Sequence, residues 1–415
     1  MAKKNNKKNE QARIQMEQAR YRGMYFEKLK YYCDTYGGKG TFALIPTRYL
    51  EAFYILRIHP LKIVPNENCK IDSKTQKYIH KLLYHVMHNM KVLIGNDLPD
   101  IRLDEFVVFC RTINTIAVPD NDMSSKPWTI EFNKRLACLS NNEVINNSIK
   151  AEFQLLECLG TMLSNIQTGI VWLVYELSVT ETKGAFNIAH LFFKKATLKY
   201  FKLADGSRPA YRVSWYTPNE GFTEISIKSS KWNSLTTFGD LPLAVYIQSH
   251  ALQRLWERID VYPQYQVQLN MLISLIDPIV IKTGKHNGLI QYNINGHKYG
   301  YLVCEYIDGD ILIKTFLFLT NNGTPEGQKL NELSGLKKED KKYLAIDRVS
   351  RFIASDIEHN DSLKKLFIEC GCESLIFAAE HLQFEKNKFS QYDASALIAE
   401  YIKNEPIPIL EESIC

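Results

Sequence analysis

The spacing of apolar residues changes twice along the chain. Up to about residue 165 apolar positions recur at three- and four-residue intervals, as in Tyr49–Leu56 and Thr75–Leu83, which predicts helices. Pro119-Asp120-Asn121-Asp122 and Ser140-Asn141-Asn142 break this region. Near residue 196 the rhythm becomes alternating. Ala196–Leu203, Tyr211–Tyr216 and Phe222–Lys228 read as strands, with turns at Asp205-Gly206-Ser207 and Pro218-Asn219-Glu220-Gly221. From Leu243 a short apolar run leads into a helix that ends near Asp260, and a second helix follows over Pro263–Ile276. Four strands are then expected, at Pro278–Lys282, Gly288–Asn293, Lys298–Tyr306 and Asp310–Leu319. Asn295-Gly296 and Asp308-Gly309 are hairpin turn signals between them. After Asn321-Asn322-Gly323-Thr324-Pro325 helical spacing returns and persists to about Asn404.

The fold class this predicts is α+β. It divides into a basic tail and first helix (1–40), a helical domain (41–180), a small basic antiparallel sheet (181–240), a helix-helix-four-strand meander (241–325) and a helical C-terminal region (326–415). A chain of 415 residues is long enough for several cores. Residues 1–12 are expected to be an unstructured basic tail.

The formal net charge of +5 is unevenly spread. Residues 1–30 carry +6 and residues 182–232 another +6, leaving −7 for the rest. Two basic segments on a mildly acidic protein suit a polyanionic partner. Within the second, Lys194, Lys195, Lys199 and Lys202 interleave with Phe192, Phe193, Tyr200 and Phe201. That mixture fits phosphate contact with base stacking, and equally an amphipathic element with a solvated lysine face. Nine scattered cysteines form no ligand framework and read as free thiols of a cytoplasmic protein. No apolar run approaches the roughly 20 residues that span a bilayer, so no membrane partner is expected. His85 and His88 could face one ligand, but His80 is poorly phased with them and no carboxylate or cysteine lies nearby at ligand spacing, so neither a metal nor a cofactor is expected.

The residues richest in chemistry are Ser249-His250-Ala251-Leu252-Gln253-Arg254-Leu255-Trp256-Glu257-Arg258. Four-residue spacing sets His250, Arg254 and Arg258 along one side of a helix, with Glu257 beside them. Imidazole titrates near neutral pH, and guanidinium forks suit phosphate oxygens. The same spacing also makes a solvated ladder of ion pairs, each contributing about 0.2–0.5 kcal/mol, with Ser249 as its N-cap.

The string His250-Ala251-x-x-Arg254-x-x-Glu257-Arg258, followed by a second helix and a meander over residues 243–320, resembles the ribonuclease-toxin-like domains of the barnase/EndoU/colicin/RelE (BECR) superfamily. Such domains occur in prokaryotic mobile elements and toxin systems. The resemblance implies metal-independent cleavage of RNA by attack of the 2′-hydroxyl. It implies a catalytic set of His250, Arg254, Glu257, Arg258 and Thr315. Lys285, His286, Tyr292 and Lys314 are the further groups on the sheet expected to contact nucleic acid. RNA is the implied substrate, with an antitoxin or other protein as a further partner. The segment departs from an efficient ribonuclease in one respect: its six Lys/Arg are matched by six Asp/Glu. A non-catalytic nucleic-acid-binding protein, or a helical scaffold for protein partners, remains the alternative.

Overall fold

A computed structural model describes residues 2–69, 71–95, 97–116, 126–180, 184–217, 221–232 and 240–383. The helical run expected to Asn404 lies beyond them after Gln383, as does the Pro119–Asp122 breaker. The fold is α+β, in two compact units: residues 1–160 with 172–193, and residues 161–171 with 194–415. Among the described residues no helix is long and apolar enough to cross a membrane.

In the first unit a helix runs from Ala2 to Tyr36, so the basic segment expected to be an unstructured tail is helical. Helices Thr47–Ile55, Ser73–Asn89 and Asn142–Leu163 follow the predicted spacing. Asp72 caps the second of these by accepting from the Lys74 and Thr75 amides at 2.8 and 3.0 Å. Helical periodicity overlooked a three-stranded sheet ordered Ile58–Pro65, Gly184–Lys195, Gly169–Thr180. The run Ile170–Tyr175 belongs to that sheet. A short apolar run carries no period that separates strand from buried helix.

The second unit is built on one eight-stranded sheet. Its strands are β1 (Leu198–Leu203), β2 (Gly206–Arg212), β3 (Ser226–Lys228), β4 (Pro242–Ile247), β5 (Val280–Lys282), β6 (Asn287–Ile294), β7 (His297–Ile307) and β8 (Asp310–Phe318). The spatial order is β5-β6-β7-β8-β4-β2-β1, with β3 paired to β4. Strands β5 to β8 form an antiparallel meander whose turns use Asn295-Gly296 and Asp308-Gly309, all four residues at positive φ. Of the basic strands expected to form a small sheet of their own, β1, β2 and β3 are instead continuous with this meander, while Ser214–Thr217 and Gly221–Glu224 pair antiparallel in a separate two-stranded sheet. The join is β4, which pairs antiparallel with β2 and parallel with β8, from Ala244↔Asp310 to Ile247↔Ile313. Phe201, Ala210 and Leu312 pack across it, with Tyr246 and Ile307 against them.

Two helices follow β4: α1 (Ser249–Arg258) and α2 (Gln264–Ile276). Ala251, Leu252 and Leu255 of α1 are fully buried, and α1 packs on β8. On α2, Val267, Met271, Leu272 and Leu275 are buried against β6. Short helices from Pro325 to His381 complete the unit. Cys304, Cys370 and Cys372 are buried free thiols there.

Gly300 of β7 sits where the chain has no room for a side chain: an added Cβ would strike the Leu317 carbonyl and the Phe316 ring. Gly300→Ala should therefore destabilise the protein by about 1–3 kcal/mol, read as a lower urea midpoint. A second expectation concerns Lys341, which is 2% exposed. Its amine donates to Asn322 Oδ1 at 2.6 Å and to the Gly327 carbonyl at 2.8 Å. Burial pushes its ammonium down from 10.5 to about 8. Between those values the unfolded chain holds a proton that the folded chain has released, so stability rises with pH across the window and falls as pH drops through about 8. The unfolding free energy of wild type minus that of Lys341→Met should climb by about 1–3 kcal/mol over this range. A flat difference would contradict the burial penalty.

Candidate functional site

The parallel pairing of β4 with β8 builds the site. Ile247 is opposite Ile313, and the Gln248 amide donates to the Ile313 carbonyl at 3.0 Å. The next residues, Ser249 and His250, therefore emerge beside Lys314 and Thr315. Antiparallel pairing of β4 with β2, and of β2 with β1, brings the β1–β2 turn to the same place. The result is an open cleft of about 800 Å³ lined by Leu203, Asp205, Arg208, Gln248, His250, Glu305, Lys314 and Thr315, with Ala204, Pro209 and Ser249. Lys314 sits in a β-bulge: Val303 faces Thr315 and Cys304 faces Ile313, which leaves Lys314 as the extra residue. Bulges re-aim a side chain in this way.

His250 lies in the first turn of α1 and is exposed. The N-cap is Gln248, not Ser249 as expected, and it makes no side-chain capping bond. The Gln248 Nε2 atom is buried and has no hydrogen-bond partner among the described residues. It is a buried amide donor at the rim of an open cleft, left with an unused hydrogen. The cleft's two strong cations are each faced by a carboxylate: Arg208 by Asp205 at 2.8 Å and Lys314 by Glu305 at 2.9 Å. The lining is thus close to neutral.

Of the expected catalytic residues, His250 and Thr315 share the cleft, with Lys314 from the expected nucleic-acid set. Arg254, Glu257 and Arg258 do not line it. Arg254 pairs with Glu257 at 2.9 Å on the outer face of α1, and Gln253 also donates to Glu257, at 3.0 Å. Arg258 is turned inward and is bonded to Asp347, which is almost fully buried. Eight residues of helix advance the chain by about 12 Å and turn the side-chain direction by about 80°. Four-residue spacing keeps neighbours together, but it carries the third member of the series away from the first.

The other expected contacts scatter. Tyr292 is a core residue, not a surface one: it is fully buried and donates to the Val267 carbonyl at 3.2 Å, because the inward face of β6 falls on it. Its ring is sealed off from any nucleic acid. Lys285 is exposed outside the cleft, and His286 stacks on Tyr306 with ring centres 6.3 Å apart. Lys199 is bonded to Asp310 and lies 5.1 Å from the Phe201 ring centre. Lys194 sits 6.0 Å over Phe222, and Lys195 and Lys202 are exposed. None of the four lines the cleft. Sequence reasoning did not single out Gln248, Arg208, Asp205 or Glu305. Arg208 lies within the basic segment, but no spacing ties it to His250, 42 residues away.

No family model, curated protein or solved structure matches the chain.

The two arginines of α1 should respond oppositely to removal. Arg258→Ala strands the buried Asp347 carboxylate and should cost about 3–5 kcal/mol of unfolding free energy. Arg254→Ala breaks an exposed pair and should cost under about 1 kcal/mol. Equal small effects in chemical denaturation would show that Arg258 is not held as a buried ion pair.

Proposed function

We propose that the His250 cleft receives a sugar–phosphate link of RNA and that the protein is a toxin-like, metal-independent endoribonuclease. The observation that carries this reading is the convergence of an exposed imidazole, a hydroxyl and two cations on one open cleft. In the proposed reaction His250 takes the proton of the 2′-hydroxyl, whose oxygen attacks the adjacent phosphorus. The bond from phosphorus to the 5′-oxygen breaks, leaving a 2′,3′-cyclic phosphate and a free 5′-hydroxyl. The Lys314 ammonium is assigned the return of a proton to that departing oxygen. Arg208 and Lys314 offset the charge that gathers on the phosphate oxygens, while Thr315 and the unpartnered Gln248 amide donate to them. Arg254, Glu257 and Arg258 have no direct role in this scheme. What supports the BECR reading is the helix opening at His250, followed by a second helix and a four-strand meander.

One observation favours the second reading, a binding protein without turnover. Each cation of the cleft already faces a carboxylate, which weakens its pull on phosphate. The two readings separate at His250. His250→Ala should abolish cleavage of a labelled RNA and leave stability within about 0.5 kcal/mol, since the side chain is exposed. An otherwise identical strand with 2′-deoxyribose should resist the wild-type protein. Cleavage of the RNA at the same rate by wild type and His250→Ala removes the nuclease reading. RNA binding that falls with salt but ignores His250, with no products, supports the binder.

A further inference from the structure

A second concave site lies in the first unit, well separated in sequence from the His250 helix. The helix Ala2–Tyr36, the helix Thr47–Ile55, the start of the strand Ile58–Pro65 and a π-turn at Phe106–Cys110 enclose a groove of about 640 Å³. Its apolar lining includes Tyr21, Met24, Tyr54 and Phe109. Tyr21 is 74% exposed and Met24 49% exposed, so these side chains present themselves to solvent instead of filling a core. The π-turn supplies Val108 and Phe109, and such turns are frequent at functional sites.

The charges of the groove do not cancel. It is lined by Arg20, Lys28 and Arg57 against Glu17. Glu17 faces Arg13 at 3.7 Å, and Lys28 is bonded to Glu105. Among the described residues no carboxylate pairs with Arg20 or Arg57. The Arg57 guanidinium lies 4.0 Å from the Tyr54 ring centre and donates to the Tyr54 carbonyl, so it is tied beside the ring. A guanidinium over an aromatic ring is a further group on which a base can stack.

We propose that this groove is a binding site for single-stranded nucleic acid. Unstacked bases lie against Tyr21, Met24 and the Arg57–Tyr54 platform, and the backbone phosphates meet Arg20 and Arg57. Two guanidinium groups without carboxylate partners, beside the exposed Tyr21 ring and the part-buried Tyr54, match phosphate and base in one ligand. A duplex would keep its bases stacked on one another and leave the aromatic faces unused. The proposal concerns the first unit and holds whether or not the His250 cleft cleaves RNA.

The test uses the full chain and a fluorescein-labelled oligodeoxythymidylate of 12 nucleotides, followed by fluorescence anisotropy. This probe lacks the 2′-hydroxyl, so the reaction proposed for His250 cannot consume it. Arg20→Ala with Arg57→Ala should raise Kd at least tenfold and reduce the slope of log K against log salt by roughly 1.4, the amount for two phosphates of a single strand. Tyr21→Ala, at a position too exposed to disturb folding, should raise Kd about fivefold or more through lost stacking. His250→Ala should leave the affinity unchanged. Unchanged binding in both the arginine pair and Tyr21→Ala overturns the proposal. So does displacement of the probe by polyglutamate as readily as by unlabelled strand, which would mark the groove as a site for acidic protein. Thymidine monophosphate competing as well as the strand would make it a mononucleotide pocket, and the strand reading would then fall.

Discussion

The second unit depends on one short parallel pairing. Strand β4 lies between β2 and β8, antiparallel to one and parallel to the other. Without it the β1–β2 hairpin and the β5–β8 meander would be separate ribbons with exposed edges. The join is fastened from the side by Arg212, which is buried. Its guanidinium donates to the Val245 carbonyl at 2.9 Å, to Ser226 Oγ at 3.1 Å and to the Ile225 carbonyl, and it lies 5.4 Å from the Tyr246 ring centre. A buried cation bonded to two carbonyls and a hydroxyl, with the Glu224 carboxylate 3.4 Å away, ties β2 to β4 and to the start of β3. The same pairing decides where α1 starts, and so decides that His250 opens beside Lys314 and Thr315.

Helix geometry then divides the polar residues of α1 among three places. The apolar stripe Ala251, Leu252 and Leu255 must face β8. Once that face is set, the first turn projects His250 over the end of the central strand β4, the middle of the helix leaves Arg254 and Glu257 half-exposed, and the last turn swings Arg258 toward Asp347. A motif that looks like one chemical kit along the chain becomes a cleft-lining residue, a surface pair and a structural pair.

Charge tells a related story. Counted along the chain, residues 182–232 are strongly basic, yet in the fold Arg208, Lys199 and Arg212 each have an acidic neighbour, in Asp205, Asp310 and Glu224. The first-unit groove is the converse: among the described residues Arg20 and Arg57 have no carboxylate paired with them. Electrostatic capacity for a polyanion resides in uncompensated cations, and compensation is a matter of distances that a running count does not contain.

Local rules therefore made much of this protein readable from its residues alone. Alternating and three-four spacing marked α1, α2 and β5 to β8 within a few residues, because burial of one face imposes its period on the sequence. Asn295-Gly296 and Asp308-Gly309 marked the hairpins, because few other residues adopt positive φ cheaply. The place of His250 at the start of a helix was likewise visible. The merger of two expected sheets into one, the inward fate of Tyr292 and Arg258, and the partnership of His250 with Gln248, Arg208 and Glu305 were not visible. Each rests on contacts between residues far apart along the chain, formed by strand pairing and helix phase, and no local period encodes which distant strand will be the neighbour.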